Sequence, residues 1–208
     1  APGRYYVTGN PIDAPPDPRP DRAALLRKWN LAPDTRVLLV FGGSQGARVI
    51  NENVAAWVRS GLPDGWSLIW ATGSRTYADF QRCDSPRVRV TDYLSPIADA
   101  YGAADLALVR GGTMGMAELC AWGVPMIVVP LPTAAADHQS WNARALEAEG
   151  AGIHLPQRDL TPQRLGETVA NLIGDARRIA ALADGALRRA RPRAADDIAR
   201  RIAALLPS

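Results

Sequence analysis

Val37–Arg48 reads VLLVFGGSQGAR: an unbroken apolar run, a glycine pair, a serine, a third glycine and the opening of a helix. A continuous apolar run of this length is a strand buried on both faces, as in a parallel sheet covered by helices. The glycines let backbone approach an anion, and the helix that follows aims its free N–H groups at it. A second turn of this kind, RGGTMGMAE at Arg110–Glu118, again follows a short apolar run. Two such turns in one domain point to a ligand carrying phosphates. Either one alone also reads as a tight turn whose glycines supply positive φ without any ligand.

Outward from these turns, strands and helices alternate. Apolar runs and turn residues predict strands at Val37–Phe41, Ser67–Ala71, Val88–Thr91, Leu106–Val109, Met126–Val129 and Gly152–Leu155. Helices are predicted at Ala23–Trp29, Ala47–Arg59, Tyr77–Arg82, Ile97–Ala103, Met114–Trp122, Gln139–Glu149 and Thr161–Ile173. The last has a threonine cap and a proline in its first turn. Ala176–Leu206 is amphipathic and interrupted at Pro192. The alternation predicts an α/β fold, a Rossmann-like doubly wound parallel sheet. Residues 1–22, rich in proline, read as a linker or interdomain segment. Residues 23–175 read as the Rossmann-like domain and 176–208 as a C-terminal helical tail.

The chain has 208 residues, 47% of them hydrophobic and 22% charged, enough for one well-formed core and too apolar for disorder. No apolar stretch has membrane-spanning length, and no secretory signal opens the chain. It begins at Ala1 without an initiator Met and reads as cut from something longer. Net charge is +3, and Lys28 is the one lysine. The arginines are interspersed with acids, which argues against nucleic acid as a partner. Arg188, Arg189, Arg191 and Arg193 form a local basic run, either a solvated helix end or a contact for anionic lipid headgroups. Cys83 and Cys120 fit no metal or redox spacing, and with His138 and His154 the only histidines no metal is expected.

In such a sheet the ligand lies beyond the carboxyl ends of the strands, where four groups of residues fall: Gly42–Gly46, Tyr93–Leu94, Arg110–Met114 and Pro130–Asn142. Gly43, Ser44 and Gln45 sit in the first glycine turn, and Ser44 offers both a hydroxyl and an N–H to a phosphate oxygen. Arg110 ends a strand beside Gly112, where it either neutralises a diphosphate or pairs with Asp92 or Asp105. Glu118, past the second glycine turn, either accepts from two vicinal hydroxyls, as on a ribose, or compensates a helix dipole. Gln139 and Asn142, at i and i+3, share a helix face and suit sugar hydroxyls. Their alternative is a helix capped by Asp137 with solvent-facing amides, and Trp141 reads as packing. Ser44, Arg110 and Glu118 are expected to surround one cavity.

Taken together, these residues resemble the C-terminal, donor-binding half of the MurG-type N-acetylglucosaminyltransferases. The matching pieces run in order along most of the chain: VTGNP at Val7–Pro11, FGGSQGAR at Phe41–Arg48, ADAY at Ala98–Tyr101 with Ala103–Asp105, Arg110–Glu118, and HQSWNA at His138–Ala143. The resemblance implies a GT-B transferase, two Rossmann-like domains with the active site between them, and UDP-GlcNAc as the donor substrate without any cofactor. It implies that Ser44 meets the donor phosphate and that the Leu94 backbone pairs with the uracil edge. Arg110, Thr113 and Met114 would line the diphosphate and sugar, the last two through backbone N–H groups. Glu118 would hold the ribose and Gln139 the GlcNAc hydroxyls. The acceptor, lipid I, would bind an N-terminal domain that this chain lacks, and the catalytic base would belong there too. The full-length protein would be cytoplasmic, touching the inner face of the plasma membrane only peripherally, and this chain alone would be inactive. Ile12 and Asp13 stand where the family often has a basic residue. Two alternatives remain: a UDP-GlcNAc 2-epimerase on the same scaffold, and a donor-binding subunit of a two-chain transferase.

Overall fold

Leu38, Leu39 and Val40 are fully buried in the first strand, and their side chains alternate between two separate cores. Residues 5–205 are described in the computed structural model. In chain order the elements are α1 (Arg22–Lys28), β1 (Arg36–Phe41), α2 (Arg48–Ser60), β2 (Trp66–Ala71), α3 (Tyr77–Phe80), β3 (Val88–Thr91), α4 (Ile97–Ala103), β4 (Leu106–Val109) and α5 (Thr113–Trp122). They continue with β5 (Met126–Val128), α6 (His138–Ala148), β6 (Gly152–His154), α7 (Pro162–Ile173), α8 (Ala176–Arg189) and α9 (Ala194–Ala203).

The six strands form one sheet in the order β3-β2-β1-β4-β5-β6, and every pairing is parallel. This is the doubly wound arrangement expected from the alternation. The strand order reverses between β1 and β4, whose last residues Phe41 and Val109 are register partners. The two glycine turns leave the sheet side by side at that reversal, the place where open α/β sheets bind ligands.

Helices cover both faces. Val37, Leu39, Ile69, Val109 and Val128 face a core closed by Leu25 and Leu26 of α1, Tyr101 of α4, Leu119 and Trp122 of α5 and Leu146 of α6. Leu38, Val40, Leu68, Trp70 and Leu108 face the other, closed by Ile50 and Val54 of α2, Phe80 of α3 and Leu165 and Val169 of α7. The packing runs on past residue 175: α8 places Ile179 and Leu182 in the second core and Ala186 in the first. At the amino end of the sheet, Asp105 accepts from the Arg22 guanidinium at 2.6 Å and from Val37 N–H at 2.8 Å, tying α1 to β1 and β4.

Residues 5–21 contain no helix or strand. Arg19 holds this segment to the end of α5, donating to the Trp122 and Ala121 carbonyls while its guanidinium lies over the Trp122 ring. Ile12 is buried. No described helix is long and apolar enough to cross a membrane.

Candidate functional site

Helices in this fold differ in how they begin. α1, α7 and α8 are capped by the side chains of Asp21, Thr161 and Asp175. α2, α4, α5 and α6, which follow strands onto the carboxyl rim, have no side-chain cap hydrogen bond. The first backbone bond back to the α5 cap residue is Met116 N–H to Gly112 carbonyl. The N–H groups of Thr113, Met114 and Gly115 are therefore left for a ligand, with the helix dipole behind them.

The first glycine turn is shaped by close contacts. Gly46 N–H closes it onto the Gly43 carbonyl at 2.9 Å. Gly43 and Gly46 have φ of 90° and 77°, and a Cβ on Gly46 would stand 2.0 Å from the Thr72 carbonyl oxygen. Only glycine fits there. Behind it, buried Asn51 donates to the Thr72 carbonyl and the Thr76 hydroxyl and accepts from Trp70 Nε1, fixing the turn from below.

Two adjoining cavities open along this rim. One, of about 520 Å³, is lined by Gly43, Ser44, Tyr93, Leu94, Met114 and Glu118 among others. The other, of about 530 Å³, is lined by Gly42, Gly43, Arg110, Gly112, Gln139 and Gln157 among others. Phe41, Gly43 and Gly115 border both. The expectation of one cavity is thus corrected: Ser44 and Glu118 share the first, while Arg110 lines the second. The α5 N-terminus stands at their junction, contributing Met114 to one side and Gly112 to the other.

Glu118 lies in the second turn of α5, beyond the first turn where a carboxylate compensates a helix dipole. Its Oε2 accepts from the hydroxyl of Tyr101 at 2.7 Å. Tyr101 also lines this cavity, and burial together with Glu118 holds its pKa far above the ordinary tyrosine range. Leu94 packs in the core and lines this cavity beside exposed Tyr93.

Arg110 has neither expected acid partner. Its Nη1 donates to the Val129 and Pro130 carbonyls at 3.2 and 3.1 Å, while Asp105 is engaged by Arg22. These bonds fix the guanidinium in the wall of the second cavity, where burial lowers its pKa.

Gln139 and Asn142 separate in function. Gln139 Oε1 accepts from Gly111 N–H at 3.1 Å and Leu131 N–H at 3.0 Å, leaving its amide nitrogen to the second cavity. Asn142 donates to the Gly111 carbonyl at 2.9 Å. It lines a different cavity of about 660 Å³, with Asn10, Thr113 and Arg191. The two amides thus hold the backbone on either side of Gly111, and Asn142 lines neither of the two rim cavities. Gln45 is exposed and lines none of the three cavities. Asp137 makes no cap bond to the backbone and accepts from the Ser140 hydroxyl. Trp141, read as packing, is 63% exposed beneath the Arg144 guanidinium.

Sequence reasoning missed Phe41, Tyr101, Gly115 and Gln157 as wall residues. Their signal was position alone, since each sits on an element that starts or ends at the rim. Among the described residues, no three His, Cys, Asp or Glu side chains come together to hold a metal ion.

The comparisons with known proteins agree with this geometry. The glycosyltransferase family 28 C-terminal domain matches residues 37–198. A Salinibacter ruber protein named UDP-N-acetylglucosamine--N-acetylmuramyl-(pentapeptide) pyrophosphoryl-undecaprenol N-acetylglucosamine transferase is 41% identical over 207 residues, covering 96% of this chain and 54% of that protein. Its namesake from Chlorobaculum parvum is 40% identical, covering 98% of this chain and 56% of its own length. The chain spans about half the length of these relatives. Acinetobacter baumannii MurG superposes with a TM-score of 0.74 at 27% identity, over 87% of this chain and 53% of that one. The resemblance to MurG-type transferases and the Rossmann-like fold are both borne out. With its glycine turns at the sheet reversal and its sequence matched over nearly its full length, the chain belongs to glycosyltransferase family 28, as its C-terminal domain.

Proposed function

We propose that this chain is the donor-binding half of an inverting N-acetylglucosaminyltransferase that takes UDP-GlcNAc and, with an acceptor domain, converts lipid I to lipid II in peptidoglycan synthesis. The observation that carries the reading is the pair of cavities meeting at Gly43 and Gly115 over the uncapped start of α5. A nucleotide sugar has the matching sequence of parts. Uracil lies against the Leu94 backbone, ribose on Glu118, diphosphate over Gly43, Ser44 and the α5 N–H groups, and GlcNAc toward Gln139.

As the glycosidic bond to the donor breaks, negative charge grows on the departing UDP. The free N–H groups at the starts of α2 and α5 and the fixed guanidinium of Arg110 face that charge, so no metal is needed in this scheme. Each helix end contributes roughly 0.3–1 kcal/mol by its dipole alone. The base that deprotonates the acceptor hydroxyl belongs to the acceptor domain. With a lipid-linked acceptor, the whole protein works in the cytoplasm at the inner face of the plasma membrane.

The names of the relatives at 40–41% identity favour the transferase over the epimerase. Detection of UDP-ManNAc formation by the full-length protein would reverse that choice. Calorimetry on this chain tests the binding half directly. UDP and UDP-GlcNAc should bind at least about ten-fold more tightly than UMP or ADP. Equal binding of all four overturns the reading.

A further inference from the structure

Arg188, Arg189 and Arg191, the basic run at the end of α8, all line the cavity of about 660 Å³ that Asn10, Thr113 and Asn142 also border. This cavity shares no residue with the two rim cavities. Thr113 stands between Gly112 and Met114, which line those two, so the three cavities meet the first turn of α5 on different sides. Glu149 is the one acid lining it, and it is taken by Arg189 at 2.5 Å. Arg188 and Arg191 have no ion-pair partner among the described residues, and Arg191 bonds only to its neighbour, the Ala190 carbonyl. Two positive charges are therefore left uncompensated in the cavity. A basic residue at a helix C-terminus answers the dipole, but Arg191 lies beyond the last residue of α8.

The same cavity carries acceptors. Asn10 spends its amide nitrogen on the Thr113 carbonyl at 3.1 Å and Asn142 on the Gly111 carbonyl. Both residues are half-buried, and their carboxamide oxygens have no partner among the described residues while remaining open to solvent. Unpaired guanidiniums match the oxygens of a phosphate, which each fork can meet with two N–H groups. Open amide oxygens call for donors, which sugar hydroxyls supply. We propose that this cavity binds a phosphorylated sugar at the same time as the rim binds the nucleotide, with Arg188 and Arg191 on its phosphate and Asn10 and Asn142 on its hydroxyls. Its identification as the glycosyl phosphate of the acceptor rests on the transferase reading above. On that reading the donor half also holds part of the second substrate.

Phosphorus NMR tests it on the 208-residue chain saturated with UDP, with N-acetylglucosamine 1-phosphate as the probe. The monoester signal is separate from those of UDP, so both ligands are followed in one sample. The probe should bind the UDP-saturated chain at least about three-fold more tightly than inorganic phosphate does. Arg188→Gln and Arg191→Gln should each weaken it about ten-fold and leave UDP within about two-fold. Arg177→Gln, which removes the same charge from an exposed position of α8 outside the cavity, should change neither. No probe binding, equal binding of inorganic phosphate, displacement of UDP by the probe, or an equal loss in Arg177→Gln overturns the site. If the probe fails while phosphatidylglycerol vesicles bind in a way that needs Arg188 and Arg191, the basic run is a lipid contact instead. A chain that binds no UDP fails the nucleotide reading, whatever the probe does. One that binds UDP and no probe fails this inference alone.

Discussion

Tyr101 reaches from α4 to α5 and donates its hydroxyl proton to Glu118 Oε2 at 2.7 Å. The ring is 2% exposed and lies between Phe41 and Trp122, with centroids 6.1 and 6.3 Å away. One carboxylate oxygen is thereby held by the protein, and in the proposed function the remaining acceptor sites of Glu118 serve the ribose. A long acidic side chain loses rotamer freedom when it is fixed. Here that loss is taken in folding, before any ligand arrives, so binding does not bear it again.

Tyr101→Phe should therefore weaken UDP about 3- to 10-fold while the fold persists, since the ring packing is retained. The preference for UDP over 2′-deoxy-UDP should shrink with it. A purely structural tyrosine would lower both affinities in the same ratio, so the change in that ratio is the measurement to make. Glu118→Ala should cost about 1–3 kcal/mol of UDP affinity, about 10- to 100-fold. It should also lower the melting temperature, because the buried Tyr101 hydroxyl loses its acceptor.

The two positive-φ glycines of the first turn separate stability from binding. A Cβ on Gly43 meets nothing within 4 Å, whereas one on Gly46 meets the Thr72 carbonyl carbon and oxygen. Gly46→Ala should destabilise the chain by about 3 kcal/mol or more, adding a backbone clash to the cost of positive φ. Gly43→Ala should cost about 1 kcal/mol in stability, yet it places a methyl at the border of both cavities and should cut nucleotide affinity. Chemical denaturation and calorimetry on the two variants separate these outcomes. Equal stability losses would show that the Gly46 contact relaxes freely.

The fold was legible because its signals are local and redundant. VLLVF followed by two glycines is a strand entering a rim turn, and Thr161 followed by Pro162 is a helix start, a reading matched by the Arg164 N–H bond to Thr161 Oγ1 at 3.0 Å. The amphipathic stretch after Ala176 was legible as helix. Its weight in the core was not, because amphipathicity does not say what the apolar face meets. The site was only half legible for the same reason. Tyr101 reads as an aromatic of a helix core, and its hydroxyl partner lies 17 residues away on another helix. Gln139 and Asn142 do share a face, but a peptide group stands between them, and spacing along one helix cannot announce a neighbour from another loop.

Arg110 illustrates the point for charge. A strand-end arginine beside a glycine turn reads equally as a diphosphate contact or as an ion pair with Asp92 or Asp105, and the fold gives it carbonyl partners in place of either acid. A cation held by neutral acceptors keeps its charge available to an anion. Arg110→Ala should weaken UDP more than UMP, by about ten-fold in the ratio. Equal effects on the two nucleotides would remove Arg110 from the diphosphate. Arg110→Lys should recover little, because the guanidinium holds both carbonyls through Nη1 alone and keeps further N–H groups, whereas an ammonium bound to the same carbonyls has no second, bidentate edge for a diphosphate.

Cys120 gives a test of the packing beneath the site. It lies on α5 with the side chain 2% exposed, and burial raises its pKa to about 11, with Arg189 opposing and Glu149 assisting. Since the thiolate is the reactive form, Cys120 should be inert at pH 8, while half-buried Cys83 reacts. A disulfide reagent should therefore modify one thiol per native chain and both after denaturation. The same shift sets a pH dependence. The unfolded thiol ionises near its ordinary value of 9 and the folded one only near 11, so the unfolded state binds fewer protons between them. Stability is full below about pH 9 and falls as pH rises toward about 11. In Cys120→Ala that part of the decline should vanish, and a variant whose alkaline decline matches the wild type would place the titrating group elsewhere.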